Sequence, residues 1–451
     1  MTTSPPRSNG CERQWSRRLR KGLSLVVLAS IGACVSVSAP RGGTDAPVTT
    51  PGKYKPGSEQ LVRIALATAA TAGTITATDG WELSDRNGSA RIASAGANEE
   101  WRIALGESCS PPTGAGCGSG FVLVTGGTNR AVEGPVVIRP LSASSLLKWN
   151  GKRYRGDIVI SRADSGLLVA NVVTMDSYLR GVVPLEIGVR TAAEFAAVQV
   201  QAIAARTYSY TRLGSTRAFD MYATVQDQVY GGVDAERAQT DSAITTTRDL
   251  VIAYAGRPIN AYYSSTCGGS TAGATEVWSD RPDEPYLRPV SDRIPGTDRF
   301  YCDPSPRFSW TQTWDGPALR AVMEKYLATY TSAPKTGLGR ITAISEEGRT
   351  ASDRVAALRI ATESGTYSLR RNDIRFVLRN PQGSILNSTS FRHATTVNGA
   401  EVTSLTVTGR GYGHGIGMCQ WGAIGRARAG QSYRTILETY YQGATVGRIA
   451  G

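Results

Sequence analysis

Residues 191–210 read Thr191-Ala192-Ala193-Glu194-Phe195-Ala196-Ala197-Val198-Gln199-Val200-Gln201-Ala202-Ile203-Ala204-Ala205-Arg206-Thr207-Tyr208-Ser209-Tyr210, and they separate two styles of sequence. Thr191 and Glu194 form a capping box, in which hydroxyl and carboxylate satisfy each other's backbone N–H groups. Phe195, Val198, Ala202 and Ala205 then recur at helical spacing, so a helix of about 20 residues is expected. Upstream, residues 61–173 contain LVRIAL, TITAT, WELSD, WRIAL, FVLVTG, VVIRP, YRGDIVISR and LLVANVV, short alternating or β-rich runs separated by Gly, Asn, Asp and Ser. That pattern is an antiparallel β region. Downstream, helical patterns over residues 234–248, 318–328, 371–378, 418–429 and 432–441 are interspersed with strand patterns LVIAY, NAYYSST, ITAIS, VAALRIA and VTSLTVTG. The expected fold class is α+β: a β-rich part over 56–173, then a mixed α/β part over 174–450 with a long central helix. No internal repeat and no long structureless linker divides residues 61–443.

The chain has 451 residues, 41% hydrophobic, 19% charged and 8% aromatic, a composition that excludes collagen, coiled coil and wholesale disorder. Its two histidines, His393 and His414, lie far apart in sequence. A His-ligated zinc enzyme is therefore not expected, and no other cofactor is. Seven cysteines are too few for a disulfide scaffold at this length but enough for one or two staples.

Compartment follows from the N-terminus. Arg7, Arg13, Arg17, Arg18, Arg20 and Lys21 precede a short apolar run over residues 23–33, the charged and hydrophobic regions of a secretory signal. The run ends in Ile31-Gly32-Ala33-Cys34, which resembles a bacterial lipobox with Cys34 as the lipid anchor. An ordinary signal peptide with a chance cysteine is the other reading. With residues 1–33 removed, the formal charge of +13 falls by six bases and one acid (Glu12) to +8. An exported chain does not meet the chromosome, so this excess points to anionic envelope polymers or lipid head groups rather than nucleic acid. Residues 34–55 read as a flexible tether reaching roughly 25 Å. Val35 is not the Asp that favours inner-membrane retention, so the periplasmic face of an outer membrane is expected, or the outer face of the cytoplasmic membrane in a host without one. Cys109 and Cys117 flank the loop SPPTGAG, where an oxidising compartment favours a small disulfide over metal binding.

Three further segments carry chemistry. In Tyr178-Leu179-Arg180-Gly181-Val182-Val183-Pro184-Leu185-Glu186 one carboxylate stands among apolar neighbours, a setting that raises a carboxyl pKa and suits a general acid. A Glu at a helix entrance, facing the macrodipole, is the plainer account. Tyr262-Tyr263-Ser264-Ser265-Thr266-Cys267-Gly268-Gly269 sets aromatic faces and hydroxyls before a glycine pair, as sugar binding requires; a buried strand with a bulge fits as well. Residues 409–423, GRGYGHGIGMCQWGA, alternate Gly with larger residues and lead into a helix; the spacing fits neither phosphate-loop nor dinucleotide patterns. His414 is a candidate partner for substrate or for Glu186, or else a structural residue of the loop, and Cys419 reads as a buried thiol.

In this order, YLRGVVPLE, QAIAARTY, AYYSSTCGGSTAGATEVW with PYLRPVSD, and GRGYGHGIGMCQWGA with ILETYYQGA closely resemble the SpoIID/LytB family, over nearly the whole of residues 61–446. The resemblance implies a lytic transglycosylase of bacterial peptidoglycan, with Glu186 as the catalytic acid and base. It also implies a preference for glycan strands lacking stem peptides. Substrate contacts are expected from Arg206, Tyr208, Tyr263, Ser264, Ser265, Thr266, Gly268, Gly269, His414 and Gln420. Cys267 and Cys302 are expected to pair, because in an exported chain they bracket the VWSD to PYLRPVSD segment and the family often pairs cysteines there. The alternative is a binding module that enhances a peptidoglycan amidase, which would then be a protein partner. Glu276 and Asp280, beside Trp278, are the nearest candidates for a second acid, with a surface role the simpler reading. Some family members bind zinc through a Cys and His cluster after the long helix. Residues 222–232 here contain neither, so no metal is expected.

Overall fold

The computed structural model describes residues 47–48, 54–85, 90–105, 121–126 and 128–449. The signal segment, Cys34, most of the tether and the Cys109–Cys117 pair lie outside the described residues. Within them the chain is α+β, with strands in six separate sheets.

Alternation builds the N-terminal part. A seven-stranded sheet runs in the order Met221–Tyr222, Leu61–Ala70, Gly166–Thr174, Asp157–Ala163, Val136–Pro140, Gly80–Ser84, Arg91–Gly96, antiparallel except for the short first edge. A six-stranded sheet is made from Lys152–Tyr154, Leu147–Trp149, Ala72–Ala77, Trp101–Leu105, Phe121–Gly126 and Thr128–Glu133. Every second side chain points inward, so Val62, Ile64, Ile158, Ile160, Leu83 and Trp81 from the first sheet join Ile75, Ile103 and Leu147 from the second in one core. Trp81 and Trp101 meet there edge to face at 5.0 Å.

The strand Gly166–Thr174 feeds directly into α1 (Met175–Ile187). Thr174 caps it, its side chain accepting from the Ser177 N–H, and Asp176 occupies the first turn, where a negative charge meets the positive end of the helix. Met175, Tyr178, Leu179, Val182 and Val183 form its buried stripe. This helix was not among the expected elements. The spacing is helical, but Gly181 and Pro184 obscure it. Pro184 stands inside the helix, which ends three residues later, where Gly188 in the left-handed region (φ 73°) donates its N–H to the Pro184 carbonyl.

The capping box forms as expected around a short 3₁₀ turn, Ala192–Glu194, and opens α2 (Phe195–Arg212). Residues 202–205 are completely buried, so α2 is the central helix of the larger core rather than an amphipathic surface one. The expected helix over 234–248 resolves into a 3₁₀ turn, Gly232–Ala235, and α3 (Ala238–Thr246). Leu250–Tyr254 then pairs with Thr445–Ile449, and the four-residue α4 (Ala274–Val277) follows.

Residues 309–410 build a second core. Ser309–Asp315, Glu401–Arg410 and Phe391–Asn398 form one three-stranded sheet, and Ile341–Glu346, Ala357–Thr362 and Gly365–Arg370 another. α5 (Gly316–Tyr330) and α6 (Asp373–Val377) accompany them, and Trp314, Leu319, Met323, Ile360, Leu369 and Val407 fill the space between. The chain then returns to the first core through α7 (Gln420–Arg428) and α8 (Tyr433–Tyr440), which bury Ile424, Ile436, Leu437 and Tyr440. α7 begins later than the sequence pattern indicated. Met418–Cys419 is a strand paired in parallel with Tyr263–Ser264, and Cys419 caps the helix. Of the expected NAYYSST strand, only Tyr263–Ser264 is in a ladder.

Candidate functional site

Glu186 lies in the last turn of α1, not at a helix entrance. The negative end of the helix therefore adds to the cost of ionising it, opposite to the plainer account of its position. α1 is held against residues 229–232 by close contact: a Cβ on Gly181 would sit 2.5 Å from the Tyr230 ring, and the Gly231 N–H donates to the Gly181 carbonyl at 3.0 Å. That contact brings the Val229 N–H to Glu186 Oε1 at 3.2 Å. Burial raises the carboxyl pKa; the Val229 amide, the Gln420 amide and the Tyr263 hydroxyl oppose the rise without cancelling it. Among the described residues no cation pairs with Glu186. Leu185 and Val189 on either side are exposed, so a half-buried carboxyl opens onto an apolar lip.

A chain of neutral groups supports it. Gln420 Nε2 donates to the Glu186 backbone carbonyl at 3.1 Å and to Gln201 Oε1 at 3.2 Å. Tyr263 donates to Gln228 Oε1 at 2.9 Å, and the Gln228 amide donates to Ser209 at 2.9 Å and Tyr178 at 3.3 Å. Gln228 belongs to residues 222–232, where the family resemblance directed attention to a metal. Its amide is fully engaged here and Asp227 accepts from Tyr208 and the Tyr222 N–H, so residues 222–232 do not fit that metal.

Beside this chain stands a row of rings. Tyr208 and Tyr262 are 6.1 Å apart, Tyr262 and Trp278 4.9 Å, and Trp278 and His414 5.3 Å. The Arg212 guanidinium covers Tyr208 at 4.5 Å. Tyr262, Trp278 and His414 are half-buried and keep part of their faces open. Trp278 and Arg212 were not singled out from sequence; an aromatic beside a Gly-rich hydroxyl motif was the available signal for Trp278. His414 makes no hydrogen bond to Glu186. Its Nδ1 accepts from the Ile416 N–H at 3.0 Å, which leaves Nε2 as the donor, and burial pushes its pKa down to about 3. It is a neutral imidazole set in the aromatic row.

Several residues expected to contact substrate serve the scaffold instead. Arg206 is fully buried and donates to the carbonyls of Ile244, Thr247 and Leu250. Thr266 is buried against Ser305 at 2.8 Å and pairs with Tyr412. Ser264 is buried beneath Gly413, while Ser265 is part-exposed and its carbonyl receives the Trp421 N–H. Gly268 packs on Arg410 and Gly269 on Phe300. The glycines of residues 409–417 do the same work: Gly417 adopts φ 69° with its missing Cβ position 2.1 Å from the Tyr262 carbonyl, so only glycine lets the two motifs meet. The loop presents itself to the Tyr262–Gly268 backbone rather than to a ligand. Of the two extra acids, Glu276 is bonded to Ser352, and Asp280 is exposed. Cys267 and Cys302 adjoin, but their sulfurs are 3.5 Å apart as free thiols, well beyond the roughly 2.05 Å of a disulfide, so the expected bond is not formed in this structure.

Fold and site together define an α+β protein with one part-buried carboxyl group, its pKa raised by burial, beside an aromatic surface. A family model described as Stage II sporulation protein (SpoIID) matches residues 163–254, the segment containing α1, Glu186 and α2, and a domain of unknown function, DUF8618, matches residues 296–417, which contain the second core. The chain is 32% identical over 330 residues to the amidase enhancer of Bacillus subtilis (strain 168), a match covering 68% of this chain and 45% of that protein. It is 29% identical over 292 residues to stage II sporulation protein D of Bacillus amyloliquefaciens, covering 61% and 74%. The Bacillus subtilis protein of that name is 28% identical over 291 residues, again covering 61% and 74%. The chain thus spans less than half the length of the amidase enhancer it matches. Its SpoIID domain and these relatives support placement in the SpoIID/LytB family.

Proposed function

We propose that this chain is an exported lytic transglycosylase that cleaves the β-1,4 bond between N-acetylmuramic acid and N-acetylglucosamine in glycan strands lacking stem peptides. The observation that carries the reading is Glu186: a half-buried carboxyl with a raised pKa and no cation paired to it among the described residues. Protonated, it gives its proton to the glycosidic oxygen as the bond to C1 breaks. The resulting carboxylate then takes the proton of the muramyl C6 hydroxyl as that oxygen attacks C1 and closes the 1,6-anhydro ring. One carboxyl group finishes as it began and no water is consumed, so the second acid that glycoside hydrolysis needs is not required. Tyr262, Trp278 and His414 offer ring faces on which sugar rings can stack. The lipid anchor at Cys34 and the envelope location belong to the same proposal. Among the described residues, no helix is long and apolar enough to cross a membrane.

A second reading is supported by the name of the amidase enhancer: a glycan-binding module that stimulates an amidase without cutting sugar. Mass spectrometry of purified glycan strands separates the two. Wild-type protein should yield anhydro-muramyl ends and Glu186→Gln should not. Stimulation of an amidase with no anhydro products from either protein would overturn the enzyme reading.

A further inference from the structure

A second cluster of chemical groups lies apart from Glu186. Cys267 Sγ, Cys302 Sγ, Cys419 Sγ and a carboxylate oxygen of Asp292 all lie within 4.8 Å of one another, and none of the four residues is more than 1% exposed. They come from distant segments: the end of the Tyr262–Cys267 motif, the loop carrying Asp292 and Cys302, and the N-cap of α7. We infer that these four side chains hold a structural zinc ion.

Distances are the first argument. Four ligands at a tetrahedral zinc, with Zn–S near 2.3 Å, stand about 3.7 Å from one another. Here Cys267 Sγ is 3.5 Å from Cys302 Sγ and 3.7 Å from an Asp292 oxygen, Oδ2. A disulfide would use two of the sulfurs and leave the third thiol beside it without a role; a tetrahedral ion uses all three and the carboxylate.

The surroundings are those of a ligand set. The two oxygens of Asp292 are divided between two kinds of neighbour: Oδ1 accepts from Tyr440 at 2.7 Å and from Arg426 at 3.2 Å, while Oδ2 faces the sulfurs and accepts from Cys267 Sγ at 3.7 Å. Such outer-shell donors orient a ligating carboxylate. Cys419 Sγ accepts from two backbone amides, Cys267 N–H at 3.1 Å and Gly422 N–H at 3.3 Å, as a thiolate does. The packing on the α7 side is close, since a Cβ on Gly422 would lie 2.4 Å from Asp292 Oδ2. A site with four protein ligands and no open position is structural rather than catalytic.

Charge is the independent argument. Arg354 and Arg426 are both buried at this cluster, at 2% and 6% exposure. Arg426 pairs with Asp292, but Arg354 makes no ion pair among the described residues; it donates to the Cys267 and Ser270 carbonyls, and its Nε and Nη1 have no partner. A buried guanidinium with no carboxylate in contact is costly, and Glu276 attracts Arg354 without pairing to it. Zinc with three thiolates and one carboxylate has a net charge of two negative, which the two arginines balance. Binding releases three thiol protons and involves no oxidation. The expectation of no metal rested on the scarcity of histidine, and this site uses none.

The test uses the mature protein purified from the envelope fraction without chelator or reductant. Elemental analysis should find about one zinc per chain, and X-ray absorption should find three sulfurs at about 2.3 Å and one oxygen near 2.0 Å. Cys419→Ser should lose the metal at least tenfold, and Tyr440→Phe should keep the fold while weakening zinc affinity about 10–100-fold. Wild-type protein with no stoichiometric zinc, and with Cys267 and Cys302 joined in non-reduced peptides, would overturn the inference whatever Glu186 does. So would zinc retained in full by Cys419→Ser.

Discussion

Glu186 and Glu194 lie eight residues apart, one at the exit of α1 and the other at the entrance of α2, and the protein treats them in opposite ways. Glu194 is 4% exposed, yet burial does not keep it protonated, because the Thr191 amide at 2.9 Å and the Arg428 guanidinium at 2.6 Å stabilise its charge and hold its pKa below the usual range. It also sits at the positive end of a helix. Glu186 is at the negative end, has one backbone donor and meets no cation among the described residues. Burial alone does not decide a carboxyl's state; the dipole and the partners do.

The largest way to test that contrast is Glu186→Gln. Removal of a general acid should lower the release of anhydro-muramyl ends by about 10²–10⁴-fold while the protein stays folded. Glu194→Gln should do the reverse: glycan cleavage per folded molecule changes little, and unfolding by denaturant costs about 1 kcal/mol less, the usual value of a lost cap. Arg428 is about half exposed, so water screens its share of that loss.

Stability against pH should split the pair by sign. The raised pKa of Glu186 favours the native state below the unfolded value, and this is lost as pH rises through the folded value. Glu186→Gln should therefore gain on wild type as pH rises from about 4 through the folded value. The lowered pKa of Glu194 acts the other way, contributing above the unfolded value and fading as pH falls through the folded one. The advantage of wild type over Glu194→Gln should shrink below about pH 4. Equal pH dependence in the two variants would break the comparison.

The smallest effect concerns His414. Pushed down to about 3, it is neutral above about pH 4, so under the proposed mechanism the expected alkaline fall in cleavage would belong to Glu186. His414→Gln should leave the midpoint of that fall in place while lowering the rate only several-fold. A shifted midpoint would make His414 the titrating group.

Much of the fold was legible because burial leaves a period in the sequence. Val62, Ile64, Ile158 and Ile160 alternate, Thr191 with Glu194 announces α2, and the structure keeps these elements. α1 was legible in principle from positions 175, 178, 179, 182 and 183, but Pro184 reads as a break unless one knows that the helix stops three residues later. Roles were harder to read than elements. Arg206 and Thr266 belong to the motifs that carry the family resemblance, yet their side chains are spent on carbonyls and a hydroxyl inside the core. Trp278 stands outside the motif centres, and only folding brings it to Tyr262 and His414.

The sequence by itself determined the α+β class, the capped central helix, the family and Glu186 as the carboxyl to watch, since each rests on neighbours within a few residues. Tertiary structure alone decided which end of a helix Glu186 faces, and which motif residues are buried support. It also brought cysteines from residues 267, 302 and 419 to one point with Asp292. Local pattern records what a segment buries, whereas a carboxyl's proton and a ligand set depend on charges and donors that segments far apart in the chain bring together.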